Sequence, residues 1–426
     1  MDEQVTSKRL YGLVFLTIFL DLLGFGIIIP IQPFFAEQFG ATPTQVTWLG
    51  AAYSLMQFLF VPLWGRLSDR VGRRPVVLIS IAAAIAGFLL FGFAGSLGAL
   101  FAARIVTGIG NANIATVQAI LADITAPEER AKAMGILGAA FGLGFIIGPG
   151  VGGIVGHAWG PAAPAFVSAG LAAINWVYAW FVLPETHPKE RRGRSEAPAH
   201  RFALGALAAA LRRPTVGPIL ILTFVTTLSF VLMEHTLGLF IERVWVPEAV
   251  TAAVGSGAQE DAHSRAIALT TWVLVMVGVI ATIIQGGLIG RLSKRFGDKR
   301  LIQAGLVFTG LGMLGVPIAG DIGSYGLLFV PCALLAVGSA LYSPPLNASL
   351  SRSVSDREQG QFMGIGQSVS SLARVLGPAV AGAMFEITRG LPYHVGGIGL
   401  LLAVALSFRL RGADASQGSA AAPPPG

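Results

Sequence analysis

The chain has 426 residues, of which 54% are hydrophobic and only 12% charged, and its mean hydropathy is +0.71. Soluble domains carry about a quarter charged residues, so this composition excludes an ordinary soluble enzyme or binding module. The net charge of +7 would suggest nucleic acid in a soluble protein, but here the basic residues sit in short segments between apolar runs. That points to a lipid bilayer as partner and away from nucleic acid.

In chain order, Lys8 and Arg9 precede an apolar run that begins at Leu10. It has the charge pattern of a signal peptide but is too long and lacks a cleavage site, so it reads as a retained first span over residues 10–33. A bilayer core about 30 Å thick needs roughly 20 helical residues to cross. Further runs of that length fall at 45–66, 75–95, 97–122, 132–156 and 161–183, and then at 216–241, 266–290, 301–320, 324–350, 361–386 and 391–410. The spacing therefore predicts an all-α membrane protein with twelve transmembrane helices in two pseudo-symmetric six-helix bundles. Residues 1–183 form the first bundle, 184–215 a polar linker loop, 216–410 the second bundle and 411–426 a disordered tail. The outer segment 245–265 has no purpose that the sequence reveals.

With the N-terminus inside, 24 of the 29 Lys and Arg fall on inner segments, as the positive-inside rule requires. Both termini are then expected in the cytoplasm and the protein in the cell's inner (plasma) membrane.

The two halves repeat. GRLSDRVGRR from Gly65 matches GRLSKRFGDK from Gly290 at an offset of 225, and Gly148-Pro149 matches Gly377-Pro378 at an offset of 229. EERAKAMG ending at Gly135 matches REQGQFMG ending at Gly364 at the same offset of 229. Constant offsets argue for one six-helix unit used twice, the arrangement of carriers that rock two halves about a central site.

Charged residues inside spans are costly, at least about 2.5–3.5 kcal/mol at mid-helix on insertion scales, and so mark pathways or partners. Asp21 in the first span, Arg104 in the fourth and Glu234 in the seventh are the candidates for proton coupling, with Arg104 as the charge that tunes Asp21. A static buried ion pair would explain the first two equally. Gln57, Asn111, Asn113, Gln118, Gln285, Asn347, Gln367 and Arg374 are candidate substrate contacts, although interhelical hydrogen bonding would also account for any one of them. The single Cys332 excludes an internal disulfide and a cysteine metal cluster. Gly310, Gly312 and Gly315 spell GxGxxG inside an apolar helix with no preceding strand, which argues against nucleotide binding. With no HExxH, GxSxG or Walker loop, no enzyme activity, metal or other cofactor is expected.

GRLSDRVGRRP from Gly65 to Pro75, FLDLLGFGIIIP from Phe19, RIVTGIGNAN from Arg104 and GLGFIIGPGVGG from Gly142 resemble the motifs of the major facilitator superfamily. With ADITAPEERA from Ala122, they are most similar to its twelve-helix drug/proton antiporters of the tetracycline/proton antiporter branch. The resemblance implies a monomeric secondary transporter that exchanges a small amphipathic, drug-like or metabolic compound for protons by alternating access. It also implies that Gly65, Asp69, Arg70, Gly72, Arg73 and Arg74 form a conformational latch loop, with Asp69 near the start of the eleventh span at Gly360. Gly144, Gly148, Pro149, Gly152 and Gly153 form the antiporter motif of the fifth span, where small residues permit close helix packing. The acidic residues that tetracycline exporters carry in spans three and nine are replaced here at Ala86 and Phe308, so tetracycline itself is not the expected substrate. A proton symporter or uniporter for a nutrient, or a receptor that retains the carrier fold, stays open at this stage.

Overall fold

The structure is a computed structural model that describes residues 2–125, 130–187, 204–254, 256–354 and 358–410. The expected tail and most of the expected linker lie outside those residues. The described elements are all helical. They are α1 (Asp2–Ile28), α2 (Gln32–Glu37), α3 (Pro43–Val71), α4 (Arg73–Gly92), α5 (Leu97–Gly110), α6 (Ile114–Ile124), α7 (Arg130–Trp159) and α8 (Ala163–Val182). There follow α9 (Leu204–Arg212), α10 (Gly217–Trp245), α11 (Glu248–Thr251), α12 (Gly257–Ile283), α13 (Ile289–Phe296), α14 (Asp298–Ile322), α15 (Tyr325–Arg352), α16 (Gln359–Ile387) and α17 (Leu391–Ser407). Among the described residues nine helical segments are long and apolar enough to cross a membrane, and Val14–Ile28 and Leu391–Ser407 are shorter apolar helices. With the 30-residue α7, they account for twelve crossings. Lipid cannot hydrogen-bond a free peptide group, so a chain of this hydropathy must satisfy its backbone within each span, as a helix does.

Several boundaries differ from the sequence reading for local reasons. The first span stops at Ile28 rather than 33, because Pro30 supplies no amide donor, and α2 restarts with a proline in its first turn. The fourth span is broken between α5 and α6 by a 3₁₀ turn at Asn111–Asn113, with Ala112 outside helical geometry. The eighth span starts at Gly257 rather than 266, since the Ser256 hydroxyl caps it by accepting from the Gln259 amide at 3.3 Å. The unread segment 245–265 is thus largely α11 and the polar first turns of α12. A π-helical stretch, Ile284–Leu288, joins α12 to α13 around Gly286 and Gly287.

The chain divides into two compact units. The first takes in Met1–Ala199, His235–Val275 and Pro378–Glu386. Its packing depends on glycines. A Cβ on Gly148 of α7 would lie 2.7 Å from the Cα of Gly26 in α1, and one on Gly152 would strike the carbonyl oxygen of Ile27. The fifth-span motif therefore packs chiefly against the first span, and also meets α12 where Gly153 faces the Thr271 hydroxyl. The second unit takes in His200–Glu234, Met276–Gly377 and Ile387–Gly426. In it α14 packs against α15 and α17 through Gly305, Gly310 and Gly312.

The repeat is visible in the turns. Gly72 (φ 110°) and Gly297 (φ 78°) both take a left-handed conformation that side chains disfavour. Their amides donate to the carbonyls of Ser68 and Ser293 at 3.1 and 2.9 Å. After each turn, an ion pair joins the start of the next span to the end of the span that follows it, but with its charges exchanged. Arg73 pairs with Asp123 at 3.4 Å in the first copy, and Asp298 pairs with Arg352 in the second.

Two predictions follow from this packing. Gly152→Val drives side-chain atoms into the α1 backbone and should cost about 1–3 kcal/mol, read as a lower thermal midpoint of the purified protein in detergent. Gly170→Ala, at a position with open space, should leave the midpoint unchanged or raise it slightly. Arg73→Asp should destabilise, and adding Asp123→Arg should recover part of the loss by recreating the arrangement of the second copy. A double variant no more stable than the worse single one would count against that equivalence.

Candidate functional site

Three helices of the first unit assemble a polar patch. Asp21 of α1 accepts a hydrogen bond from the Asn113 side-chain amide at 3.0 Å, so the kink at Asn111–Asn113 turns a side chain of the fourth span toward the first. Arg104 is buried, at 3% exposure, with its guanidinium over the rings of Phe91 (5.1 Å) and Tyr53 (5.7 Å). Among the described residues Asp21 and Arg104 share no ion pair. The aromatic faces meet the Arg104 charge, so the static ion pair expected as one alternative is not formed.

Gln57 donates to the Tyr53 hydroxyl at 3.0 Å and to the Asn111 carbonyl at 3.2 Å, and Asn111 donates to the same hydroxyl at 3.4 Å. Tyr53 also stacks on Phe25, with centroids 4.9 Å apart. The sequence reading named Gln57, Asn111 and Asn113 but missed Tyr53, which joins them. A tyrosine inside an apolar span was the available signal, because a phenol in lipid needs a partner.

The remaining candidates are not gathered in the same way. Gln118 is exposed on α6. In the second unit, Glu234 of α10 has an unpartnered side-chain oxygen among the described residues, and Arg374 of α16 is the cation whose charge acts on it. Gln285, in the π-helical stretch, Asn347 and Gln367 are exposed.

At the Gly65 loop, Arg73 is the hub. Its guanidinium donates to the Ser68 hydroxyl at 2.6 Å and pairs with Asp69 and Asp123, and its amide donates to Glu185 at 2.9 Å. Arg74 donates to the Trp180 carbonyl at 2.7 Å and lies over that indole. Gly65 and Arg70 lie on the last turns of α3. Asp69 is thus held within its own loop. The side chains at the start of α16 near Gly360, its expected counterpart, lie outside the described residues.

On the opposite side of the membrane, the first unit holds a charged cluster that the sequence reading did not find. Arg243 at the end of α10 donates to Glu37 Oε1 at 2.6 Å and to Glu242 Oε2 at 2.8 Å. His263 of α12 places Nε2 at 3.1 Å from Glu242 Oε1 and 3.8 Å from Glu37 Oε2. Exposures are 6% for Glu37, 0% for Glu242 and 1% for His263. Burial, reinforced by the Glu242 carboxylate, pushes the Glu37 carboxyl well above its usual range against the pull of Arg243. Nearby on this side the Thr44 amide donates to Glu386 (3.0 Å), Trp48 Nε1 donates to the Ala379 carbonyl (3.0 Å) and the Ser264 hydroxyl meets His157 Nδ1 (2.6 Å).

A single span of this chain could belong to many membrane proteins; its whole length is more restrictive. The chain is similar to the tetracycline resistance protein, class C, of Escherichia coli, at 31% identity over 89% of this chain and 91% of that one. It is also similar to multidrug resistance protein 2 of Bacillus subtilis (strain 168), at 28% identity over 96% and 97%. Among solved structures, that of the human organic anion transporter MFSD10 superposes with a TM-score of 0.65 over 94% of this chain and 99% of that one, at 24% identity. The model of the Major Facilitator Superfamily matches residues 14–257 and again residues 249–425. With its twelve crossings and repeated Gly65 and Gly290 turns, this multi-pass membrane protein belongs to the Major Facilitator Superfamily of transporters.

Proposed function

We propose that the chain exports a small amphipathic compound across the inner membrane in exchange for protons, by alternating access between two six-helix halves. The observation that carries this reading is the Asp21–Asn113 contact at 3.0 Å. A carboxylate whose partner is a neutral amide can take up and release a proton without breaking an ion pair, which a coupling site must do in every cycle. Tyr53, Gln57 and Asn111 beside it offer aromatic surface and hydrogen bonds, and Arg104 adds a fixed positive charge. That mixture suits an amphipathic solute better than a small ion. The named activities of the tetracycline and multidrug resistance proteins support the direction of transport, while Ala86 and Phe308 argue for a substrate other than tetracycline.

In this reading the Gly65 loop and both termini face the cytoplasm, and the Glu37 cluster faces outward. The contacts from Thr44 to Glu386 and from Trp48 to Ala379 then close the outer side and must part once per cycle. The Arg73 hub holds the inner loop together while this happens.

The test is Asp21→Asn in everted vesicles and proteoliposomes across a panel of amphipathic compounds. Proton-driven transport should fall at least tenfold, by the usual scale for loss of a proton-transfer group, while substrate binding persists. Wild-type protein should release protons when substrate is added. A variant that still concentrates substrate against its gradient would remove Asp21 from coupling, and substrate accumulation in the direction of the proton gradient would replace antiport by symport.

A further inference from the structure

The Glu37, Glu242 and His263 side chains arrive from three separate segments, α2, α10 and α12, yet their ligand atoms all lie within 4.8 Å of one another and all three residues are buried. Arg243 occupies one oxygen of each carboxylate. The other oxygen of each faces His263 Nε2, at 3.1 Å for Glu242 and 3.8 Å for Glu37. Among the described residues Glu242 Oε1 and both ring nitrogens of His263 have no hydrogen-bond partner. Nε2 and Oε1 are therefore close but not aimed at each other as donor and acceptor. Two ligands of one tetrahedral zinc ion stand about 3.3 Å apart, given bonds of about 2.0–2.2 Å; the Glu242 separation of 3.1 Å lies near that value, while the Glu37 separation of 3.8 Å is longer and would close on the ion.

Charge points the same way. Two acidic groups face one fixed cation here, so the cluster has more anionic oxygen donors to offer a metal ion than Arg243 alone can engage. Imidazole and carboxylate together are donors that zinc accepts readily. Arg243 would then serve as the outer support that orients both ligating carboxylates. We propose that Glu37 Oε2, Glu242 Oε1 and His263 Nε2 form a binding site for a divalent transition-metal ion of the zinc type on the side of the protein opposite the Gly65 loop. Because the ligands come from three segments, the ion would tie α2, α10 and α12 together. If the transport reading also holds, it would slow the cycle.

The experiment uses the full chain purified in detergent, stripped of metal and equilibrated with zinc chloride, and reads the thermal midpoint together with zinc affinity from competition with a chromophoric chelator. Wild type should bind one zinc per chain and melt at a higher temperature with zinc than without it. His263→Ala and Glu37→Gln should each bind at least about tenfold more weakly and lose the thermal shift. His263→Cys, which keeps a ligand of suitable softness, should retain both, and this separates loss of a ligand from loss of the fold. The proposal is overturned if wild type shows no zinc-dependent shift or if the variants bind as tightly as wild type. These readouts require no transport, so they stand or fall apart from the export assay.

Discussion

Charge beside hydrocarbon has to be met from within the protein, because lipid offers neither hydrogen bonds nor counterions. Much of the arrangement here answers that demand, each time by different means. Asp21 has a neutral amide from Asn113, Arg104 has the faces of Phe91 and Tyr53, and Arg73 has carboxylates and a hydroxyl around it. The means suit different tasks. Arg73 is itself buried, but Asp69 and Asp123 are 32% and 29% exposed, so it is held by the number of its partners more than by the strength of any one pair. Asp21 has a single hydrogen bond from an amide, worth about 1–3 kcal/mol, and so is tethered by fewer contacts than Arg73.

The same constraint explains why the helices pack so closely. Between spans there is little gain from burying apolar surface that lipid would also cover, so association depends on contact and on backbone approach. Gly148 against Gly26 and Gly152 against Ile27 bring the α7 and α1 backbones together. Asp21 lies on the same helix as that seam and meets Asn113 of the fourth span there. At the helix ends, where charge is cheaper, Arg73–Asp123 and Asp298–Arg352 keep the pairing while reversing its sign. Complementarity is what the turn after each Gly-x-x-x-x-x-x-Gly run requires, and the identity of the positive member is free.

The twelve crossings could be read from run length and flanking charge, because the thickness of the hydrocarbon sets both. Asp21 stood out as a lone acid in an apolar run, and Asn113 lay in a motif already singled out. Their pairing was not legible. Spans that are apolar all round carry little facial periodicity, so nothing in the sequence assigns Asn113 rather than Arg104 to Asp21. The start of α12 was lost because Glu260, Asp261, His263 and Arg265 look like loop, although a helix may protrude from a membrane with a polar first turn. The exchanged ion pair was hidden for another reason: matching like with like across the halves discards positions where a charge and its partner have swapped together.

The contacts on the side opposite the Gly65 loop are unequal, and that inequality bears on how the proposed cycle could run. The Thr44–Glu386, Trp48–Ala379 and Ser264–His157 bonds are exposed, and exposed hydrogen bonds contribute only about 0.5–1.5 kcal/mol each because water replaces them readily. The Glu37–Arg243 pair is different. Its carboxylate is 7% and its guanidinium 15% exposed, so separating the two in place would strand charges, whereas separating them as water enters would not. Opening of this side must therefore be coupled to its hydration. A cluster of two acids, an arginine and a histidine can be stable when dry and unobstructive when wet, which an apolar plug of the same volume cannot: exposing the plug costs free energy in proportion to its area. On this argument the buried charges stabilise the closed arrangement without making the open one prohibitive, provided that the ends of α2, α10 and α12 admit water together.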